Sequence, residues 1–201
     1  MPNDSASGGY LAPASAPIAH DLDLDLVFQG MVAGITGLPG TSVLPRLQSA
    51  TGLGKAAPRI PNVDENWCAV GVKRIASTTG IRGNLIHDGA GEGSTTFRDY
   101  ETIEILTGFY GPNSEAYAST LKAGLKISQN REALFRQHIN VLRIGEIIAV
   151  PDLPNGLARR RQDLAISFTR RIDRTYAVRN LVEANGPIRT DSHDQTWSTE
   201  N

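Results

Sequence analysis

The segment TTFRDYETIEILTGFYG, from Thr95 to Gly111, constrains the fold more than any other part of the chain. Its threonines, aromatic residues and isoleucines favour an extended backbone. A strand of this length needs partners for its N–H and C=O groups. The nearest candidate is NWCAVGVKRIAS, which reads as a strand from Trp67 to Ser77. The two are expected to pair as antiparallel neighbours across the turn-rich TTGIRGNLIHDGAGEGS.

Two helices are expected to cover the sheet. In DLDLDLVFQGMVAGITG, Leu24, Phe28, Met31 and Ile35 fall at helical spacing with Val27 beside them. Asp21, Asp23 and Asp25 crowd the start, where the helix dipole favours negative charge. Gly37 suits a left-handed cap and Pro39 prevents continuation. The alternation in DLDLDL also fits a short strand, but the later residues keep the helical period. Gly30 and Gly34 each cost about 1 kcal/mol against alanine, and their spacing permits close approach of a neighbouring backbone. The second helix opens after Pro112, capped by Asn113 or Ser114, and is expected to run through SEAYASTLKAGLKISQNREALFRQH.

Residues 41–66, with Pro45, Pro58 and Pro61, read as a long loop of the kind that often has a binding role. After the β-branched run HINVLRIGEIIAV, two segments constrain each other. Leu164, Ile166 and Phe168 share one face, and Tyr176 and Val178 share another. Bringing both sets to the same side of an antiparallel pair predicts a three-residue turn at Ile172, Asp173 and Arg174, with Arg170, Arg171 and Arg174 at the hairpin tip. The expected class is α+β: one main, largely antiparallel sheet packed by two or so helices, with a long C-terminal arginine-rich β-hairpin and extended termini. The expected organisation is an extended tail over residues 1–20, a single α+β domain over residues 21–190 and a C-terminal tail over residues 191–201. Order in the tails is expected to come from neighbouring subunits.

Charge is unevenly spread. Residues 1–30 hold four aspartates and no Lys or Arg, whereas eight arginines between Arg159 and Arg189 face only Asp163, Asp173 and Glu183. Arginine suits planar, bidentate contacts with phosphate or carboxylate. The plain alternative is a solvated strand face. Arg159, Arg160, Arg161, Arg170, Arg171 and Arg174 are therefore candidate interface residues, expected to meet carboxylates on neighbouring chains. Asp21, Asp23 and Asp25 are candidate counterparts, and Trp197 is a candidate anchor.

The usual signatures of catalysis fail. TGLGK ends at Lys55 but has Ser49 where a phosphate loop needs glycine and Ala56 where it needs a hydroxyl. GEGSTT lacks the third glycine of a dinucleotide loop. The single Cys68 excludes an internal disulfide framework, the four histidines form no zinc spacing, and G-x-S-x-G is absent. No catalytic site, cofactor or metal is expected. One enzymatic alternative is a hydrolase using Asp99 and Glu101, which share a strand face at spacing two. Another alternative is a nonspecific DNA-binding module on Arg159–Arg174. No apolar run approaches the roughly 20 residues that span a membrane, and the N-terminus lacks the pattern of a secretory signal. Synthesis in a reducing cytoplasm is expected.

GITGLPGTSVLPR, then WCAVGV, then FRDYETIEILTGFYGPNSEAYASTLKAGL and finally TYAVRNLVEANGPIRTD resemble the neck or tail terminator family of contractile-tailed bacteriophages, over roughly residues 25–190. The resemblance implies an α+β virion subunit in a hexameric ring, without catalysis. Such a ring caps the tail tube and sheath, joins them to the head's collar and lets genomic DNA pass without specific binding.

Overall fold

The computed structural model of the chain describes residues 3–46, 61–79, 83–181, 183–189 and 194–200. The fold is α+β, and its residues divide into two compact units. The larger comprises Pro17–Gly80 and Asp99–Ile172; the smaller comprises Met1–Ala16, Ile81–Arg98 and Asp173–Asn201.

In the larger unit, helix α1 spans Asp21–Thr36 and buries Leu24, Phe28, Met31 and Val32. Gly37 caps it in the left-handed region at φ 74°, its N–H donating to the Ala33 carbonyl at 2.9 Å. The expected stop is therefore the observed one. Strand β1 is Val43–Pro45, where a loop was expected. It pairs in parallel with the start of β2, Trp67–Ser77, through Val43↔Cys68 and Leu44↔Ala69. The remainder of the expected loop, residues 47–60 including Lys55, lies outside the described residues.

Strand β2 is antiparallel to β4, Ser94–Tyr110, as the composition of both segments predicts. Residues Ile103, Ile105, Thr107 and Phe109 of β4 point inward at the period of a strand and are fully buried. Strand β6, Arg161–Tyr176, follows β4, and β5, Ile139–Ala149, closes the order β1-β2-β4-β6-β5. Glu101 meets Arg170 and Thr107 meets the Leu164 carbonyl, so β4 and β6 run in opposite directions.

The turn expected at Ile172, Asp173 and Arg174 is absent: β6 continues through all three. The inward row Leu164, Ile166, Phe168 extends unbroken through Arg170 and Ile172, each buried. A buried arginine thus occupies an apolar row because a carboxylate stands opposite it. RRIDR has no glycine or proline, and its one turn-favouring residue, Asp173, is held instead by a two-pronged pair with Arg98 at 2.8 and 3.0 Å. The arginine-rich hairpin tip is corrected accordingly, and the C-terminal hairpin lies further on, where β7, Glu183–Arg189, pairs with β8, Asp194–Glu200.

The second helix is also shorter than expected. Helix α2 covers Ser114–Gly124, and α3 covers Glu132–Phe135 after a 3₁₀ turn at Gln129–Arg131. Leu121, Leu125 and Leu134 still reach the core, joining Phe28 and Phe168, whose rings lie 5.0 Å apart. A side chain at Gly124 would strike Ile35 of α1, so the glycine that ends α2 also admits the crossing.

In the smaller unit, β3, Asn84–Asp88, pairs antiparallel with residues 94–98 of β4. The N-terminal segment makes several contacts with residues 175–179 of its own chain. Ala14 N–H donates to the Thr175 carbonyl at 2.7 Å, Ser5 N–H to the Ala177 carbonyl at 3.1 Å, and Arg179 pairs with Asp4 at 2.6 Å. The Ser7 backbone N–H, with Arg179 adding to it, holds the Asp4 carboxyl below the usual carboxylate range.

Candidate assembly surface

At one end of the larger unit's sheet, the first residue of β2 and the last of β4 stack. The rings of Trp67 and Tyr110 lie 4.1 Å apart at 8°. The Arg159 guanidinium sits over both, 5.4 Å from Trp67 and 4.8 Å from Tyr110. Its Nε also donates to Asp152 at 2.7 Å. Arg161 makes a two-pronged pair with Asp163, both distances 2.8 Å, and lies 5.4 Å from the Tyr110 ring. That hydrogen bond raises the Arg161 pKa, while burial pushes the Tyr110 phenol up.

These contacts fix the base of the connection between β5 and β6. Asp152 and Arg159 form a backbone bridge, with Arg159 N–H donating to the Asp152 carbonyl at 2.9 Å. Between them a 3₁₀ turn at Pro154–Gly156, with Gly156 at φ 79°, presents Leu153 and Leu157 to solvent, 66% and 60% exposed. Arg160, next to the base, is exposed and has no ion pair among the described residues.

A second surface lies along α1. Leu22, Leu26, Gly30 and Gly34 recur every fourth residue and are all exposed. Beside them Asn130, Ala133, Leu134 and Gln137 complete an apolar groove of about 360 Å³. Nothing lies within 4 Å of where a side chain on Gly30 or Gly34 would stand. Asp21 and Asp23 are exposed at the helix start without an ion pair among the described residues. Asp25 is half-buried and accepts from Val72 N–H at 3.4 Å; burial raises its pKa.

The candidate arginines are thus not one surface. Arg159, Arg161 and Arg170 find carboxylates within the chain. Arg170 is 2% exposed, its guanidinium donating to Glu101 at 2.8 Å and to the Ala19 carbonyl at 2.6 Å. Arg171, on the opposite face of β6, lies 3.0 Å from a ring nitrogen of His138. Arg174 is half-buried in the smaller unit. Trp197 belongs to β8, and its side chain lies outside the described residues. Leu153 and Leu157 carry no signal in the sequence beyond an apolar residue either side of Pro-Asn-Gly.

Asp99 and Glu101 do share a face, but each has structural work. Asp99 accepts from the hydroxyls of Ser77 and Thr79 and from Tyr100 N–H, and Glu101 holds Arg170. Cys68 is fully buried, and burial pushes its thiol far above its ordinary range, which suits packing and not nucleophilic attack. No group of three metal-binding side chains occurs among the described residues. No helix among them is long and apolar enough to cross a membrane.

No curated protein matches the chain. The family model described as phage neck terminator protein matches residues 23–192, which include all but the first two residues of α1, every strand from β1 to β7 and the whole β5–β6 connection. An α+β subunit with exposed apolar surfaces at two separate places, whose most suggestive acidic pair is occupied structurally, fits that description. The chain belongs to the phage neck terminator protein family.

Proposed function

We propose that this structural component of the phage neck assembles into a ring, most simply a homohexamer, at the junction of head and tail. In that reading the ring terminates the tube and sheath of a contractile tail and joins them to collar and head-completion proteins. The match to the family over residues 23–192 carries the reading. Two exposed apolar surfaces on the larger unit support it, since contiguous exposed apolar side chains are where protein partners dock.

Genomic DNA crosses the lumen without being held. Each neutralised phosphate adds to a salt-sensitive affinity, and a ring multiplies that effect. Three of the six candidate arginines already have carboxylate partners in the chain, which reduces the charge left for phosphates.

The purified chain is expected to sediment as a closed oligomer, or to form one on purified tail tubes, and micrographs of the particle are expected to place it as a ring between head and tail. A monomer that ignores tail tubes would overturn the reading. Tight, steeply salt-dependent DNA binding by that monomer would favour a DNA-binding module instead.

A further inference from the structure

We propose that the Leu153–Leu157 tip of one copy seats in the groove beside α1 of the next copy. This inference rests on the self-assembly reading and names the contact that would build it. The tip is preorganised: a backbone bridge and an ion pair close its base, and the Arg159 guanidinium is clamped over Trp67 and Tyr110. A loop already held in one shape loses little conformational freedom on docking. The groove is its counterpart in chemistry. Leu26 is 61% exposed, Gly30 and Gly34 leave the helix surface open, and Ala133 and Leu134 form the far wall.

Charge selects a second copy as the occupant. Helix α1 contains three aspartates and no basic residue, and Asp21 and Asp23 stand exposed at its start. Arg160 stands exposed beside the tip. An apolar centre with opposite charges at its rim is the arrangement of a specific interface. Tip and groove are different surfaces of one chain, so the contact is head-to-tail. Repetition of such a contact closes into a ring when the rotation allows. Two copies meeting through a self-complementary patch would instead stop at a dimer.

The test uses the full chain and measures oligomer mass across concentration. Leu153→Ser with Leu157→Ser removes the tip's apolar surface, and Gly30→Leu fills the groove at an exposed helix position. Each is expected to weaken assembly at least tenfold with an unchanged circular-dichroism spectrum. Mixing the two is decisive. The tip variant keeps an intact groove and the groove variant keeps an intact tip, so a mixed dimer and nothing larger is expected. Arg160→Asp and Asp23→Arg are each expected to weaken assembly, and the double variant to recover it. If Gly30→Leu fails to fold, the tip variant and the charge exchange still decide.

If the wild type assembles and these variants assemble equally well, this contact is wrong while the ring reading stands. Variants that assemble but no longer bind tail tubes would give the groove another tail protein as occupant and overturn the proposal. A wild type that never assembles, alone or on tubes, removes both.

Discussion

Arg170 is the residue on which the interior of the larger unit depends most unusually. It occupies a position that the alternation of β6 assigns to an apolar side chain, and Glu101 and the Ala19 carbonyl make that tolerable. Removing one partner of a buried pair leaves the other charge without compensation, at a cost of about 3–5 kcal/mol. Arg170→Met is therefore expected to lower stability by that order in urea unfolding. Arg170→Met combined with Glu101→Gln is expected to recover most of the loss. Recovery distinguishes a stranded carboxylate from lost packing. Asp25 gives a pH-dependent counterpart. Burial raises its pKa in the folded state, so the folded chain binds this proton more tightly than the unfolded chain. Stability from this group is therefore greatest below the ordinary carboxylate range and falls as pH rises through the raised value. Asp25→Asn keeps an acceptor for Val72 N–H, so it is expected to raise the melting temperature at pH 7. That gain is expected to shrink towards pH 3.

Helix α1 illustrates how much an element can declare of itself. Its inward residues, its acidic first turn and its glycine stop follow from spacing and chemistry within one short segment. Gly37 stands at φ 74°, where a side chain on an L-residue crowds the following carbonyl at about 1–2 kcal/mol. Nothing lies near the position a side chain would take, so the cost of Gly37→Ala is conformational alone. A loss of that size is expected in thermal unfolding, with no change in oligomer mass. Strand β6 shows the opposite case. The charged run around Arg170 and Arg171 suggests an exposed turn, yet the strand passes straight through because Glu101 on β4 supplies the missing compensation. Gly124, at the end of α2, is a related case: a side chain there would strike Ile35 of α1, a neighbour remote in sequence.

At the scale of the whole chain, the N-terminal segment is tied to residues 175–179 by backbone bonds from Ser5 and Ala14 and by the Asp4–Arg179 pair. Deleting residues 1–16 is expected to speed hydrogen exchange of the amides at Thr175 and Arg179, which donate to the hydroxyls of Ser15 and Ser5. Amides of residues 99–172 are expected to keep their protection. Unchanged exchange at Thr175 and Arg179 would show that the segment is not held there. The α+β class, α1 with its cap, the β2–β4 pairing and the ordered blocks shared with the neck terminator family were legible in the sequence. Each depends on neighbours along the chain or on a periodicity that survives without knowing the partner. The continuity of β6, the parallel pairing of β1, the close approach of α1 at Gly124 and the division of the arginines into buried and exposed were not. Those outcomes depend on which distant side chain stands opposite: Glu101 against Arg170, Cys68 beside Val43, Ile35 against Gly124, Asp152 and two aromatic rings against Arg159. A charge or a glycine has no fixed meaning until that partner is in place, and only the tertiary structure puts it there.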